Sequence, residues 1–163
     1  MLVSIASGKG GTGKTTLALL LAAAHNDATL VDCDVEEPNC HLFLKPKWQD
    51  GGRHVRVMVP QVKADTCIGC GDCISACRFN AVAVAAGKAL VFDELCHSCG
   101  GCILACKHGA IIEDTKLIGT VTAGISDVFP GVRLVSGTLN IGVPSAVPLI
   151  RNIKKIARRL TGD

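Results

Sequence analysis

From the amino terminus the chain alternates short apolar runs with glycine-rich or polar breaks. Leu2 to Ala6 (LVSIA) is rich in β-branched residues and predicts a first strand. The run Leu17 to Ala24 (LALLLAAA) is apolar on all sides, which predicts a buried helix from Thr15 to about His25. Ala28 to Val31 predicts a second strand that ends in Asp32-Cys33-Asp34. A short helix near Pro38 to Leu44, a loop from Trp48 to Arg53 and a strand from His54 to Val59 follow. Beyond a cysteine-rich stretch, strands are expected near Leu117–Val121 and Val132–Ile141, then a helix from about Ser145 to Leu160. In that helix Val147, Ile150, Ile153, Ala157 and Leu160 recur at helical spacing, opposite Arg151, Lys154, Lys155, Arg158 and Arg159. The basic stripe reads as a solvated face, or as a dock for an acidic partner or a membrane surface.

Composition narrows the class. Of 163 residues, 48% are hydrophobic and 19% charged, with a mean hydropathy of +0.39, which excludes a disordered chain. The longest apolar run, Leu17 to Ala24, is far short of the roughly 20 residues of a membrane span, so no stable membrane association is expected. The first residues lack a basic n-region, so a cytoplasmic location is expected. Four Phe, one Trp and no Tyr give no stacking platform for bases, and a net charge of +3 is too mild for a phosphate-tracking surface. Nucleic acid is therefore not an expected partner.

Ten cysteines carry the first chemical signal. Eight fall into two runs, Cys67, Cys70, Cys73, Cys77 and Cys96, Cys99, Cys102, Cys106, both reading C-x2-C-x2-C-x3-C. Each cysteine of the first run recurs 29 residues later, as do Gly71 in Gly100 and Ala81-Val82 in Ala110-Ile111, so the unit is duplicated beyond its thiols. Three thiolates two residues apart on a tight turn can cap three corners of one cubane, and the fourth ligand must come from elsewhere. Zinc, the alternative metal, usually takes two C-x2-C pairs separated by about a dozen residues or more. The stretch from about Val62 to Glu113 resembles a bacterial-type ferredoxin. In such proteins the fourth cysteine of each run serves the other cluster. The resemblance thus implies two [4Fe–4S] clusters, one on Cys67, Cys70, Cys73 and Cys106, the other on Cys96, Cys99, Cys102 and Cys77. The proline usual after the fourth cysteine is replaced by Arg78 and Lys107. Cys33 reads as a buried structural thiol, and Cys40 is open to either role. His97 and His108 flank the ligand runs, as loop residues or as tuning groups.

The second signal is GKGGTGKT, Gly8 to Thr15, which matches G-x4-G-K-[ST] between a predicted strand and a predicted helix. Gly8, Gly10, Gly11 and Gly13 let the backbone close around phosphate oxygens, with Thr12 and Thr16 completing the loop. Lys14 can reach the β- and γ-phosphates, and the Thr15 hydroxyl can hold Mg2+. The helix that follows aims its positive end at the same anion. Lys9 is an extra lysine: a solvated loop residue, or a cation delivered to the phosphates of a facing subunit. Asp32 and Asp34 alternate at a strand end. They are solvent-facing loop residues, or one supports the Mg2+ shell while the other positions the attacking water.

GKGGTGKTT followed by LVDCDVEEPN resembles the deviant Walker A loop and switch of the MinD/ParA/Mrp group within the CobQ/CobB/MinD/ParA superfamily. VPQV before the cysteine runs and LNIGVPSAVPLIRNIKK after them resemble the members that carry an inserted ferredoxin domain. The resemblance implies an α/β fold: a partial doubly wound P-loop NTPase sheet with an inserted α+β two-cluster module. It divides the chain into 1–61, an inserted 62–115 and a return over 116–163. It further implies ATP and Mg2+ as cofactors, Lys9 acting across a nucleotide-sandwiched homodimer, Asp34 positioning water and Asp32 near the Mg2+. No Walker B half follows the last helix, so the chain is expected to be a fragment, an ATPase only when full-length and weak or inactive alone. The function implied is a nucleotide-dependent dimer switch coupled to electron transfer or to cluster delivery, with an unnamed redox partner or client. The alternative is an electron-transfer ferredoxin module on an incomplete nucleotide fold. A positioning ATPase ranks last, since it needs no clusters.

Overall fold

The computed structural model describes residues 1–25, 27–49 and 51–162. Asn26, Asp50 and Asp163 lie outside the described residues, and with them one position of the expected 48–53 loop and the last residue of the chain. The elements are α1 (Lys14–Ala24), β1 (Thr29–Val31), α2 (Cys40–Leu44), β2 (Pro46–Trp48), β3 (Arg53–Val62), α3 (Asp72–Ala76), β4 (Val82–Ala85), β5 (Lys88–Val91), α4 (Gly101–Ala105), β6 (Ile111–Ser126), β7 (Arg133–Leu139) and α5 (Val147–Thr161). The chain is mixed α/β, and it divides into two compact units, one of residues 1–55, 119–139 and 146–163, the other of 56–118 and 140–145.

The first unit is built on a mixed sheet in the order β1-β7-β6-β2. β1 lies parallel to β7, with Leu30 opposite Leu134, while β6 pairs antiparallel with both β7 and β2. β7 buries four consecutive residues, Leu134 to Gly137, because it is covered on both faces. Leu134 packs with Ala22, Cys40, Leu44 and Val132 on one side. On the other, α5 lays Leu149, Ile153 and Ala157 against the sheet. Gly137 makes that approach close: a Cβ there would stand 2.6 Å from Ile153 Cδ1. Pro148 in the first turn of α5 and the left-handed Gly162 after it (φ 75°) give the helix a defined start and stop.

Three expectations are corrected. Leu2 to Ala6 forms no strand and pairs with none among the described residues; without a neighbour the run has nothing to bond its backbone to. α1 is not buried all round. Of its residues only Ala22 is buried, while Leu17, Leu20 and Leu21 are exposed, because β1 and α2 cover one side only. The buried line of α5 runs through Leu149, Ile153 and Ala157, four residues apart, and Val147 and Leu160 fall outside it. Two strands are longer than expected, since β3 reaches Val62 and β6 absorbs the end of the second cysteine repeat, while β1 and β7 are shorter.

The second unit carries the duplication in its backbone. α3 and α4 begin and end 29 residues apart, each after a left-handed glycine, Gly71 (φ 85°) and Gly100 (φ 74°). Left-handed Gly69 and Asn80 recur as Ser98 and Gly109. β4 and β5 form a two-stranded antiparallel hairpin with Val82 opposite Val91. Among the described residues no helix is long and apolar enough to cross a membrane.

The close seat of α5 yields a prediction. Gly137→Ala should destabilise the chain by about 1–3 kcal/mol in urea unfolding, through overpacking against Ile153. Adding Ile153→Val should recover part of that loss, since the two positions share one contact.

Candidate functional site

The glycine-rich loop runs into α1 through Gly13, a left-handed N-cap (φ 82°) with no side-chain cap. The first N–H groups of the helix, which have no intrahelical acceptor, therefore remain available to an anion. A Cβ added at Gly8, Gly10, Gly11 or Gly13 would meet nothing within 4 Å, so these glycines face open space. Lys14 folds across it, donating from Nζ to Ser7 Oγ (3.0 Å) and to the Lys9 carbonyl (3.1 Å). Ser7 Oγ donates to the same carbonyl at 2.9 Å and lies 2.6 Å from Thr12 Oγ1. Thr15 is half-buried, while Lys9, Thr12 and Thr16 are exposed. Ser7 is a loop residue that motif reading missed, since the motif starts one position later.

Asp32 and Asp34 take different places. Asp32 is buried, and its carboxylate accepts N–H groups from Asp34 (3.1 Å), Asn39 (3.2 Å) and Cys40 (3.2 Å). Both oxygens are thus engaged in fixing the loop between β1 and α2. Asp34 stands exposed on that loop, its Oδ1 3.4 Å from the Glu37 N–H. Cys33, expected to be buried, is exposed because the chain has left the sheet by then. Cys40 is buried, and burial together with the Asp32 charge pushes its thiol up to about 12, which keeps it a protonated core residue.

The eight remaining cysteines are sorted by two cavities in the second unit. One, open to solvent, is lined by Cys67, Cys70, Cys73 and Cys106, with His108 beside them. The other is lined by Cys96, Cys99, Cys102 and Cys77, with His97 and Phe79. Each cavity thus takes three thiols from one run and the last thiol of the other. The backbone explains the exchange. Cys77 and Cys106 follow the last turns of α3 and α4 in extended conformation (φ −87° and −79°), where the chain has left its own turn. All ten cysteines are free of disulfides.

Backbone N–H groups point at several of these sulfurs. Ala81 donates to Cys77 (3.4 Å) and Ala110 to Cys106 (3.3 Å), the same bond in each repeat. Ser98 donates to Cys96 and Ala89 to Cys67, both at 3.4 Å. The Ala89 and Gly69 N–H groups, with the Lys88 ammonium adding to them, hold the Cys67 thiol below its ordinary value. Burial pushes the Cys73 and Cys102 thiols up. His97 stacks on Phe79 with ring centroids 4.0 Å apart. Among the described residues, no group of three or more His, Cys, Asp or Glu side chains is placed to hold a metal ion.

Comparison with known proteins agrees with the loop. The "Uncharacterized protein MJ0578" of Methanocaldococcus jannaschii is 34% identical over 167 residues, covering 100% of this chain and 57% of that protein. The "Uncharacterized protein MJ0579" of the same organism is 31% identical over 98 residues, 58% of this chain and 35% of that protein. The chain therefore spans little more than half the length of the first of these relatives. Residues 3–160 match the CobQ/CobB/MinD/ParA nucleotide binding domain, and the chain belongs to that family.

Proposed function

We propose that the chain is the nucleotide-binding, iron–sulfur part of a dimeric ATPase whose switch is coupled to electron transfer or to cluster delivery. The observation that carries this reading is the sorting of eight cysteines into two cavities of four thiols each. An all-sulfur donor set suits iron–sulfur clusters, and thiolates around a cubane stand farther apart than ligands around a single ion. N–H groups aimed at sulfur are the bonds that such ligands use to tune potential. When bound, the clusters would accept and release single electrons.

The chain's own residues supply the rest. Cys67, Cys70, Cys73 and Cys106 would hold one cluster and Cys96, Cys99, Cys102 and Cys77 the other. In the phosphate loop Gly8 to Thr16 would wrap ATP, with Lys14 leaving Ser7 and Lys9 to take phosphate oxygens and Thr15 holding Mg2+. Asp32 keeps the β1–α2 loop in place by its three N–H bonds and so sets where Asp34, the proposed water-positioning carboxylate, stands. Lys9 is exposed, as a lysine serving a facing subunit must be. A second reading, a ferredoxin module indifferent to nucleotide, is favoured by one observation: the Leu2–Ala6 run before the loop pairs with no described strand.

Anaerobically reconstituted chain should carry about eight iron and eight sulfide, two cubanes' worth. Two zinc ions and no sulfide would overturn the iron–sulfur reading. Iron chelation should unfold the second unit first, seen as loss of amide protection over 62–115, because a small core leans on its metal. Lys14→Ala should weaken binding of a fluorescent ATP analogue by about tenfold or more while leaving the iron content unchanged. Equal affinity in the two proteins would remove the phosphate loop from the account.

A further inference from the structure

The duplication breaks at one place, and the break falls on a single cysteine. After β4 the first repeat turns back at Ala86-Gly87, and β5 returns along it. The second repeat makes no such turn: the equivalent residues run straight on as β6. The hairpin is pressed against the first cysteine loop, for a Cβ on Gly69 would stand 2.5 Å from the Gly87 carbonyl oxygen. The equivalent position in the other repeat tolerates a side chain and is Ser98.

Two groups reach Cys67 from this hairpin. The Lys88 ammonium donates to the Cys67 carbonyl at 2.6 Å, and the Ala89 N–H points at Cys67 Sγ. The position 29 residues after Lys88 is Leu117, so the second set of thiols has no counterpart of this cation. Two nearby carboxylates are paired with lysines. Asp72, which lines the first cavity, is paired with Lys107 at 3.6 Å, and Asp93 with Lys116 at 3.4 Å. Lys107, which follows Cys106, is committed to Asp72, while Arg78 follows Cys77 in the other repeat, so what sets the first centre apart is the short reach of Lys88 and the Ala89 N–H to Cys67 itself.

We propose that the β4–β5 hairpin makes the two centres unequal: Lys88 and Ala89, laid on Cys67, make the Cys67/Cys70/Cys73/Cys106 centre the easier one to reduce, so that electrons entering the chain come to rest there. The inference rests on the iron–sulfur reading. A low-potential one-electron donor gives up one electron, and the receiving core passes from 2+ to 1+ with no bond to the protein broken and no proton required. A fixed cation and an N–H dipole beside one ligand favour the more negative, reduced state of that centre. Lys88 is thus a positioning charge for the electron and touches no reacting atom.

The test is a dithionite titration of the reconstituted full chain, followed by electron paramagnetic resonance, with iron and sulfide measured on each sample. Two midpoint potentials are expected. Cys70→Ser, which alters one ligand of the first centre, should perturb the signal that appears at the higher potential. Lys88→Met should lower the equilibrium for reducing that centre about tenfold, equivalent to 59 mV for one electron, and leave the other in place. Lys88→Arg should restore it, which a merely structural role for the side chain would not produce. Equal shifts of both centres, no shift, or a shift of the lower-potential centre alone would overturn the assignment while full iron content keeps the iron–sulfur reading intact. A chain without iron and sulfide would bring down that reading, and this inference with it.

Discussion

Three cysteines with two residues between neighbours share one turn, and a fourth with three residues before it has left that turn. That geometric limit organises the whole second unit. Gly71 and Gly100 in left-handed conformation open short helices of five residues each, and those helices end before Cys77 and Cys106. Either run alone lines its cavity with three thiols, and only the presence of the other run completes the four. Under the proposed iron–sulfur reading, the unit has to be double. The recurrence of every left-handed position from Gly69 to Asn80 in Ser98 to Gly109 follows from that obligation. So does the recurrence of the N–H bond to the fourth sulfur.

The nucleotide-binding half depends on a different device. A glycine-rich loop can hold anions only if its lysine and its helix start are presented together. Gly13 provides the turn that brings Lys14 back over the loop, onto Ser7 and the Lys9 carbonyl. The neighbouring loop is fixed by a buried carboxylate instead. Asp32 takes three backbone N–H groups, an arrangement that costs a desolvated charge and leaves Asp34 outside on a defined loop. The two carboxylates thus stand two residues apart with opposite surroundings, one committed to structure and the other open to solvent.

Much of this was legible in the chain because spacing dictates it. The cysteine register named the eight thiols, and the ferredoxin likeness divided them into the sets that line the two cavities. The P-loop motif located the anion-binding turn. What was not legible depends on neighbours. The β-rich Leu2–Ala6 run reads as a strand, but a strand exists only when something pairs with it. Leu17, Leu20 and Leu21 read as buried because their helix is apolar all round, yet burial needs covering elements on every side. The placement of Asp32 was equally hidden, since which aspartate turns inward depends on the N–H groups of Asn39 and Cys40 seven and eight residues away. Nor does any pattern reveal that β5 folds back onto Cys67, because Lys88 reads as an ordinary turn-flanking lysine.

The central claim is that one chain joins a phosphate-binding loop to two redox centres. The most direct measurement is an anaerobic redox titration of the reconstituted 163-residue chain by electron paramagnetic resonance, with and without MgATP. The account predicts that nucleotide shifts the potential or line shape of at least one centre, and that Lys14→Ala abolishes the shift. Two full centres whose signals and potentials ignore MgATP at saturating concentration would contradict it and leave an electron carrier with a silent loop.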